Sequence, residues 1–537
     1  MHLLVAQSGA VDDGAEPRDL SQSPGDVVIL SAADTELALI AEAHRQRAGE
    51  GGRLDVRLAN FLHLKHNYSV DLHIEKTLSR ARLVVVRLLG GRGYWTYGLE
   101  RLEALAAQGV FELVVLPGDD KPDASLADSS SVDPEVAVQL WQYLCEGGLD
   151  NAKGFLAAVE AHLGGVELPL PARPLLKAGI YGAKPRGERP IAAIVFYRAL
   201  YQSGDLAAID ALISELRQAG LDPLPVFVSS LRDGACVEII EALFRDARPR
   251  IILNTTSFAT SKPGDSAQGG VLGVFGVPVL QVVLASETAA AWREGLRGLS
   301  ARDIAMHVAL PEVDGRVLTR AVSFKADARF DTATQYYVVR AEPDPGRVRF
   351  VAGQAQAWVR LGKLPAAGRR VALVLANYPN RDGRIANGVG LDTPQSTIKV
   401  LNALQGAGYG VEKVPVNGNA LVELLQAGVT NAGIAGREVR YKLSGEAYGE
   451  AYARLPPGVR EAVEERWGQA EDDPFWCGDG FTISVCRFGN VAVGIQPARG
   501  YNVDPKATYH DPALIPPHNY LAFYVWLRSE FGAHAVV

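Results

Sequence analysis

The chain has 537 residues, 48% apolar and 21% charged, which is too long for one hydrophobic core and too apolar for a disordered chain; about three or four domains are expected. The net charge of −7 comes without any block of lysine or arginine, which argues against nucleic acid and against an anionic membrane surface as the main partner. Cys145, Cys236, Cys477 and Cys486 show neither CxxC spacing nor a neighbouring His pair, so a disulfide scaffold and a zinc knuckle are both set aside. Residues 1–10 lack the pattern of a signal peptide and no apolar run is long enough to cross a bilayer, so a soluble, cytoplasmic protein is expected.

In chain order, three segments repeat one pattern: an apolar β-branched run, a polar loop, an amphipathic helix and a second apolar run. The first is a strand at 27–30, a helix at about 34–45 and a strand at 54–58. Residues 119–134, rich in Asp, Ser and Pro, read as an exposed loop, and 168–190, with repeated Pro and Gly, as a linker. The second pattern is a strand at 191–196, a helix with Asp205 as its N-cap and a strand at 223–228. The third is a strand at 371–375, a helix begun by Thr393 and Pro394 and closed near Gly406, and a strand resuming at 410–411.

Runs without alternation, separated by helices, predict parallel sheets buried on both faces. The expected fold is therefore α/β and multidomain, built from repeated flavodoxin-like or Rossmann-like parallel-sheet modules. Strands at 481–487 and 491–495 flank Phe488, Gly489 and Asn490 as a hairpin, and residues 518–531 form a helix led by Pro516 and Pro517. Residues 535–537 read as the start of a strand cut short, so the chain is expected to be a fragment. The expected domains are 1–167, the linker 168–190, 191–365, and 366–537, the last truncated at its C-terminal end.

Polar and glycine-bearing segments sit where these strands end, the place at which α/β sheets collect ligands. They are 60–71 (with His63 and His66), 87–98 (with Tyr94 and Trp95), 196–205 (with Arg198), 254–259, 377–394 (with Asn377 and Arg384) and 496–518 (with Arg499, His510, Asp511 and His518). Taken in this order over residues 60–537, they resemble the large subunit shared by cobaltochelatases and magnesium chelatases. The sequences Gly-Ile-Gln-Pro-Ala-Arg-Gly at 494–500 and Tyr-His-Asp-Pro at 509–512 are closer to the cobalt branch.

The resemblance implies a ligase forming nitrogen–metal bonds: ATP-dependent insertion of Co²⁺ into hydrogenobyrinic acid a,c-diamide in aerobic cobalamin biosynthesis. It implies two smaller partner subunits, including an AAA+ ATPase, which use the ATP and Mg²⁺. That agrees with the glycine pattern, since Gly388 with Gly390 and Gly90 to Gly93 complete no GxGxxG and no GxxxxGK[ST] is present. Family members carry a His-x-Gly-x-His-Gly segment that would follow Val537, so the fragment alone is expected to be inactive. Two alternatives stay open: a magnesium chelatase large subunit acting on protoporphyrin IX, and a tetrapyrrole-binding module with no chemistry of its own.

Metal insertion asks a protein to hold a flat polycarboxylate ring, desolvate the metal and take up the pyrrole protons. His510, Asp511 and His518 are the candidates for proton handling, because an imidazole oriented by a carboxylate can relay protons and metal. His510 and His534 are the candidate metal ligands, imidazole being a ligand that Co²⁺ favours. Arg198, Arg384 and Arg499 suit ring carboxylates through paired N–H donors, Tyr94 and Trp95 suit stacking on the ring, and Asn377 suits a polar contact.

Overall fold

The computed structural model describes residues 16–261, 270–295, 298–326, 328–377, 380–388, 390–500 and 513–537. The chain forms two compact units, Met1–Trp358 and Val359–Val537. No helix among the described residues is long and apolar enough to cross a membrane.

Among the described residues the first unit holds two large sheets and one two-stranded hairpin. β1 (Val27–Ser31), β2 (Val56–Asn60), β3 (Leu83–Leu88) and β4 (Glu112–Pro117) make an all-parallel sheet in the order β2-β1-β3-β4. Its strands are largely apolar because both faces are covered. Val27 and Ile29 point into a core shared with helices Asp34–Gly49, Pro134–Glu146 and Leu149–Leu163, whereas Val28 and Leu30 point into one containing Phe61, Val70, Leu99 and Leu102. Each such fully buried side chain contributes about 1.5–3 kcal/mol. Helix Pro134–Glu146 starts where Asp133 accepts the Glu135 N–H at 2.8 Å and stops at Gly147, whose φ of 65° continues no helix.

The second sheet comprises β5 (Ala178–Ile180), β6 (Ile191–Tyr197), β7 (Asp222–Val228), β8 (Ile251–Asn254), β9 (Val279–Thr288) and β10 (Val317–Lys325). After the hairpin of β11 (Arg329–Asp331) and β12 (Tyr336–Val338), β13 (Ala341–Pro343) closes the order β13-β10-β9-β8-β6-β7-β5, with β5 and β13 as antiparallel edges. In both sheets the first parallel strand lies between the second and the third: β1 sits between β2 and β3, and β6 between β7 and β8. The winding reverses there, leaving a crevice beyond the carboxyl ends of the paired strands. Helix Pro345–Lys363 crosses the boundary between the units.

In Val359–Val537, β14 (Val371–Leu375) pairs in parallel with Val491–Ile495 on one side and with Ala535–Val536 on the other. Val485–Phe488 adds an antiparallel edge through the hairpin turned at Gly489, φ 67°. Helices Thr393–Gly406 and Gly418–Ala427 cover one face, and Phe523, Trp526 and Leu527 of helix His518–Ser529 cover the other.

Several local expectations are corrected. Asp205 caps no helix; its carboxylate accepts the Ala341 N–H at 3.1 Å, tying β13 to the start of helix Ala207–Gln218. The cap of helix Thr393–Gly406 is Asp392, whose Oδ1 accepts the Gln395 N–H at 3.0 Å. Residues 410–411 form no strand: the Gly410 carbonyl accepts the Asn490 N–H at 2.7 Å and so props the hairpin turn. Within the expected linker, Ala178–Ile180 pairs with β7, and Asn151, Tyr143 and Gln139 bond the backbone carbonyls of Arg173, Leu170 and Pro169.

Candidate functional site

At the two winding reversals of Met1–Trp358 a cleft of about 340 Å³ opens beyond the carboxyl ends of β1, β3, β4, β6 and β7. One wall carries Ser31, Glu36, Leu39 and Ile40 from β1 and the helix after it, with Arg87, Leu89 and Tyr94 from the end of β3 and beyond. Asp119, Asp120 and Cys145 stand at the side, and Tyr197, Arg198 and Gln202 form the facing wall.

The cleft is anchored by a buried ion pair. Arg87 Nη1 bonds Glu36 Oε1, and the two side chains are only 12% and 11% exposed. Ser31 Oγ donates to the other Glu36 oxygen at 2.7 Å and accepts the Ala33 N–H at 3.1 Å, which fixes the turn between β1 and its helix. Arg87 Nε donates to the Pro117 carbonyl at 3.2 Å and Nη1 also reaches the Leu144 carbonyl at 3.3 Å. The Cys145 thiol donates to the Asp119 carbonyl at 3.3 Å; burial pushes its pKa up to about 11, so it stays a thiol at neutral pH.

Of the residues expected at a site, Arg198 and Tyr94 meet in this cleft. Arg198 is held by Glu146 at 3.1 Å and by the Leu175 and Leu176 carbonyls at 2.8 and 3.0 Å, so its guanidinium first of all joins the two modules of the unit. Gln202 supports the same joint by donating to the Cys145 carbonyl at 2.7 Å. Tyr94 remains 51% exposed. Trp95 is corrected: it is 7% exposed, stacks on Phe61 at 5.1 Å and donates its indole N–H to the Leu64 carbonyl at 3.1 Å, so the core has consumed its ring.

The polar run after β8 also turns inward. Asn254 donates to Gln281 Oε1 at 2.8 Å and accepts from the Thr256 hydroxyl at 2.9 Å, while the Ser257 N–H reaches the Tyr197 hydroxyl at 3.1 Å. These bonds hold the ends of β6 and β8 together. His73 is buried with neither ring nitrogen bonded among the described residues; burial lowers its pKa to about 4, so it is neutral.

In Val359–Val537, Asn377, Arg384 and Arg499 all lie beyond the carboxyl ends of β14 and Val491–Ile495. Asn377 is buried and bridges to Ile385, Arg384 is exposed, and Arg499 is half-buried. The loops are knitted by Asp382, which pairs with Arg437 and accepts the Thr430 hydroxyl at 2.6 Å, and by Asn431, which donates to the Gln496 carbonyl at 2.9 Å and accepts the Ala498 N–H at 3.0 Å. Tyr520 and Tyr524, unremarked in the sequence, stand beside Gln496; burial raises the Tyr524 phenol to about 12.

Two histidines are corrected. His518 is 1% exposed; its Nε2 faces the Gly468 carbonyl at 3.1 Å and therefore carries the proton, leaving Nδ1 to accept from the Tyr448 hydroxyl at 2.6 Å. Both nitrogens are engaged inside a closed core, so neither is open to a metal ion. His534 lies at the opposite end of β14 from the ligand-collecting loops, where Nδ1 accepts the Arg370 N–H at 2.9 Å. Burial, reinforced by Arg360 and Arg370, lowers its pKa. His510 and Asp511 lie outside the described residues. Among the described residues no three His, Cys, Asp or Glu side chains gather as a metal site.

Arg87 interrupts the apolar run of β3, and a charge in a strand buried on both faces requires a partner. That signal was readable in the sequence; the identity of the partner, Glu36, two strands' worth of chain earlier, was not.

The CobN/Magnesium Chelatase family matches residues 141–537. The aerobic cobaltochelatase subunit CobN of Sinorhizobium sp is 49% identical over 100% of this chain and 44% of its own length. A magnesium-chelatase subunit of Chlorobaculum parvum is 27% identical over 64% of this chain and 26% of its own. The catalytic subunit of cobaltochelatase from Mycobacterium tuberculosis superposes with a TM-score of 0.73 at 31% identity, covering 95% of this chain and 42% of that one. The chain thus spans less than half the length of the relatives it matches, and with a family match over most of its residues it belongs to the CobN/magnesium chelatase family.

Proposed function

We propose that this chain is part of the large, substrate-binding subunit of an ATP-dependent cobaltochelatase, which inserts Co²⁺ into hydrogenobyrinic acid a,c-diamide in the cytoplasm. The observation that carries this reading is the difference in coverage: the likeness to a cobaltochelatase subunit runs the whole chain at 49% identity, that to a magnesium-chelatase subunit only 64% of it at 27%. In this reading the macrocycle sits on the large subunit, which also receives the metal. Two smaller subunits, one an AAA+ ATPase, hydrolyse ATP with Mg²⁺.

The chain's own residues support the division of labour. No phosphate-binding glycine loop is present in the sequence, and Asn377, Arg384 and Arg499 share one sheet end suited to the carboxylates of a ring. His510 with Asp511 is the pair assigned to protons and metal. The test is an absorbance titration of the full-length protein with the corrin precursor and with protoporphyrin IX. Tighter binding of the corrin precursor is expected; equal or reversed affinity overturns the cobalt assignment in favour of the magnesium reading.

A further inference from the structure

The cleft of Met1–Trp358 contains one buried donor group whose bonds do not add up. A guanidinium has five N–H bonds to place. Arg87 places Nε on the Pro117 carbonyl and Nη1 on Glu36 and the Leu144 carbonyl. Nη2, with two hydrogens, has only the Cys145 sulfur among the described residues, at 4.0 Å. Sulfur is a weak acceptor, so Nη2 keeps hydrogen-bonding capacity toward the cleft. The group therefore offers a site for an oxygen that this chain does not supply.

The charges around it select the kind of oxygen. Glu36 already balances Arg87, and Asp119, Asp120 and Glu146 all bear on Cys145, the residue whose sulfur marks the open position. Arg198 in the facing wall is spent on Glu146 at 3.1 Å, so a second anion there would face the carboxylates of Asp119 and Asp120. A neutral carbonyl oxygen would not, and an N–H group beside it would find carboxylate acceptors in Asp119 and Asp120 at the side of the cleft. Leu39, Ile40 and Leu89 with the half-exposed Tyr94 ring line the rest of the space with apolar surface. The volume of about 340 Å³, beyond the strand ends where the winding reverses, is that of a small-molecule site.

We propose that this cleft binds a small molecule bearing a primary carboxamide on an apolar or aromatic frame, its carbonyl oxygen on Arg87 Nη2 and its amide N–H groups toward Asp119 and Asp120. The probe is 3-phenylpropionamide, titrated by calorimetry into the 537-residue chain, with 3-phenylpropionate as the anion of the same shape. Saturable binding of the amide at a Kd of about 1 mM or tighter is expected, with the carboxylate at least about 10-fold weaker.

Cys145→Asn places a side-chain oxygen where Nη2 needs one while keeping a donor for the Asp119 carbonyl. It should weaken the amide at least about 10-fold with the melting temperature held or raised. Tyr94→Ala, at a half-exposed position that leaves the fold alone, should weaken it severalfold. Absence of saturable binding, equal affinity for amide and carboxylate, or wild-type affinity in both variants would overturn the proposal.

Discussion

Glu36→Ala should lower the stability of Met1–Trp358 by about 3–5 kcal/mol, among the largest single-residue effects this structure predicts outside its apolar cores. The expectation rests on burial. Both side chains of the Glu36–Arg87 pair are close to 90% covered, so salt and water screen them little, and removing the carboxylate strands a guanidinium in the cleft wall. The Ser31 hydroxyl loses its acceptor in the same step. Glu36→Gln keeps an oxygen for both donors and should cost less.

The double variant Glu36→Leu with Arg87→Met removes both charges and should recover most of the loss, because replacing a buried pair with apolar side chains is close to neutral. Urea unfolding followed by tryptophan fluorescence measures all three. A loss under about 1 kcal/mol for Glu36→Ala would mean that the pair behaves as a solvated surface pair and that the cleft is not organised around it.

His510→Ala and His518→Ala should separate cleanly, although the two positions lie close in sequence and carry the same residue. In full-length protein with its partner subunits, His510→Ala should lower the rate of metal insertion by about 10²-fold with stability intact, the size of effect expected when acid–base help is lost. His518→Ala should do the reverse. It leaves the Gly468 carbonyl and the Tyr448 hydroxyl unmatched in a closed core and opens a cavity, costing about 3 kcal/mol, while the molecules that remain folded turn over normally. Thermal melts and initial rates on the same two preparations check this. A His510→Ala variant with undiminished turnover would end the assignment of that residue.

The sheets were readable because β1, β6 and β14 are continuous apolar runs, and only a sheet covered on both faces makes that pattern stable. Their order was not, since it depends on which helix covers which face. The edge strands β5 and β13 and the hairpin β11–β12 were missed because three-residue strands carry too little periodicity to register.

The site was readable to the extent that strand ends were. Arg198, Tyr94, Asn377, Arg384 and Arg499 all fall there, as the topology of parallel sheets requires. Which way a side chain turns was beyond the pattern. Trp95 and Tyr94 are adjacent, yet one is spent on Phe61 and the other faces the cleft. His518 follows two prolines, as expected of a rigidly held group, but the rigidity serves a closed core. The partnership of Glu36 with Arg87 spans 51 residues of chain and exists only once β1 and β3 are neighbours.

The most direct measurement of the central claim is the initial rate of metal insertion by the full-length protein with its two partner subunits, followed by absorbance. Four reactions suffice: Co²⁺ with hydrogenobyrinic acid a,c-diamide and Mg²⁺ with protoporphyrin IX, each with and without ATP. Insertion of Co²⁺ into the corrin precursor is expected only when ATP is present, with no insertion of Mg²⁺ into protoporphyrin IX. Insertion of Mg²⁺ into protoporphyrin IX, or ATP-dependent activity in neither pair, would contradict the central claim.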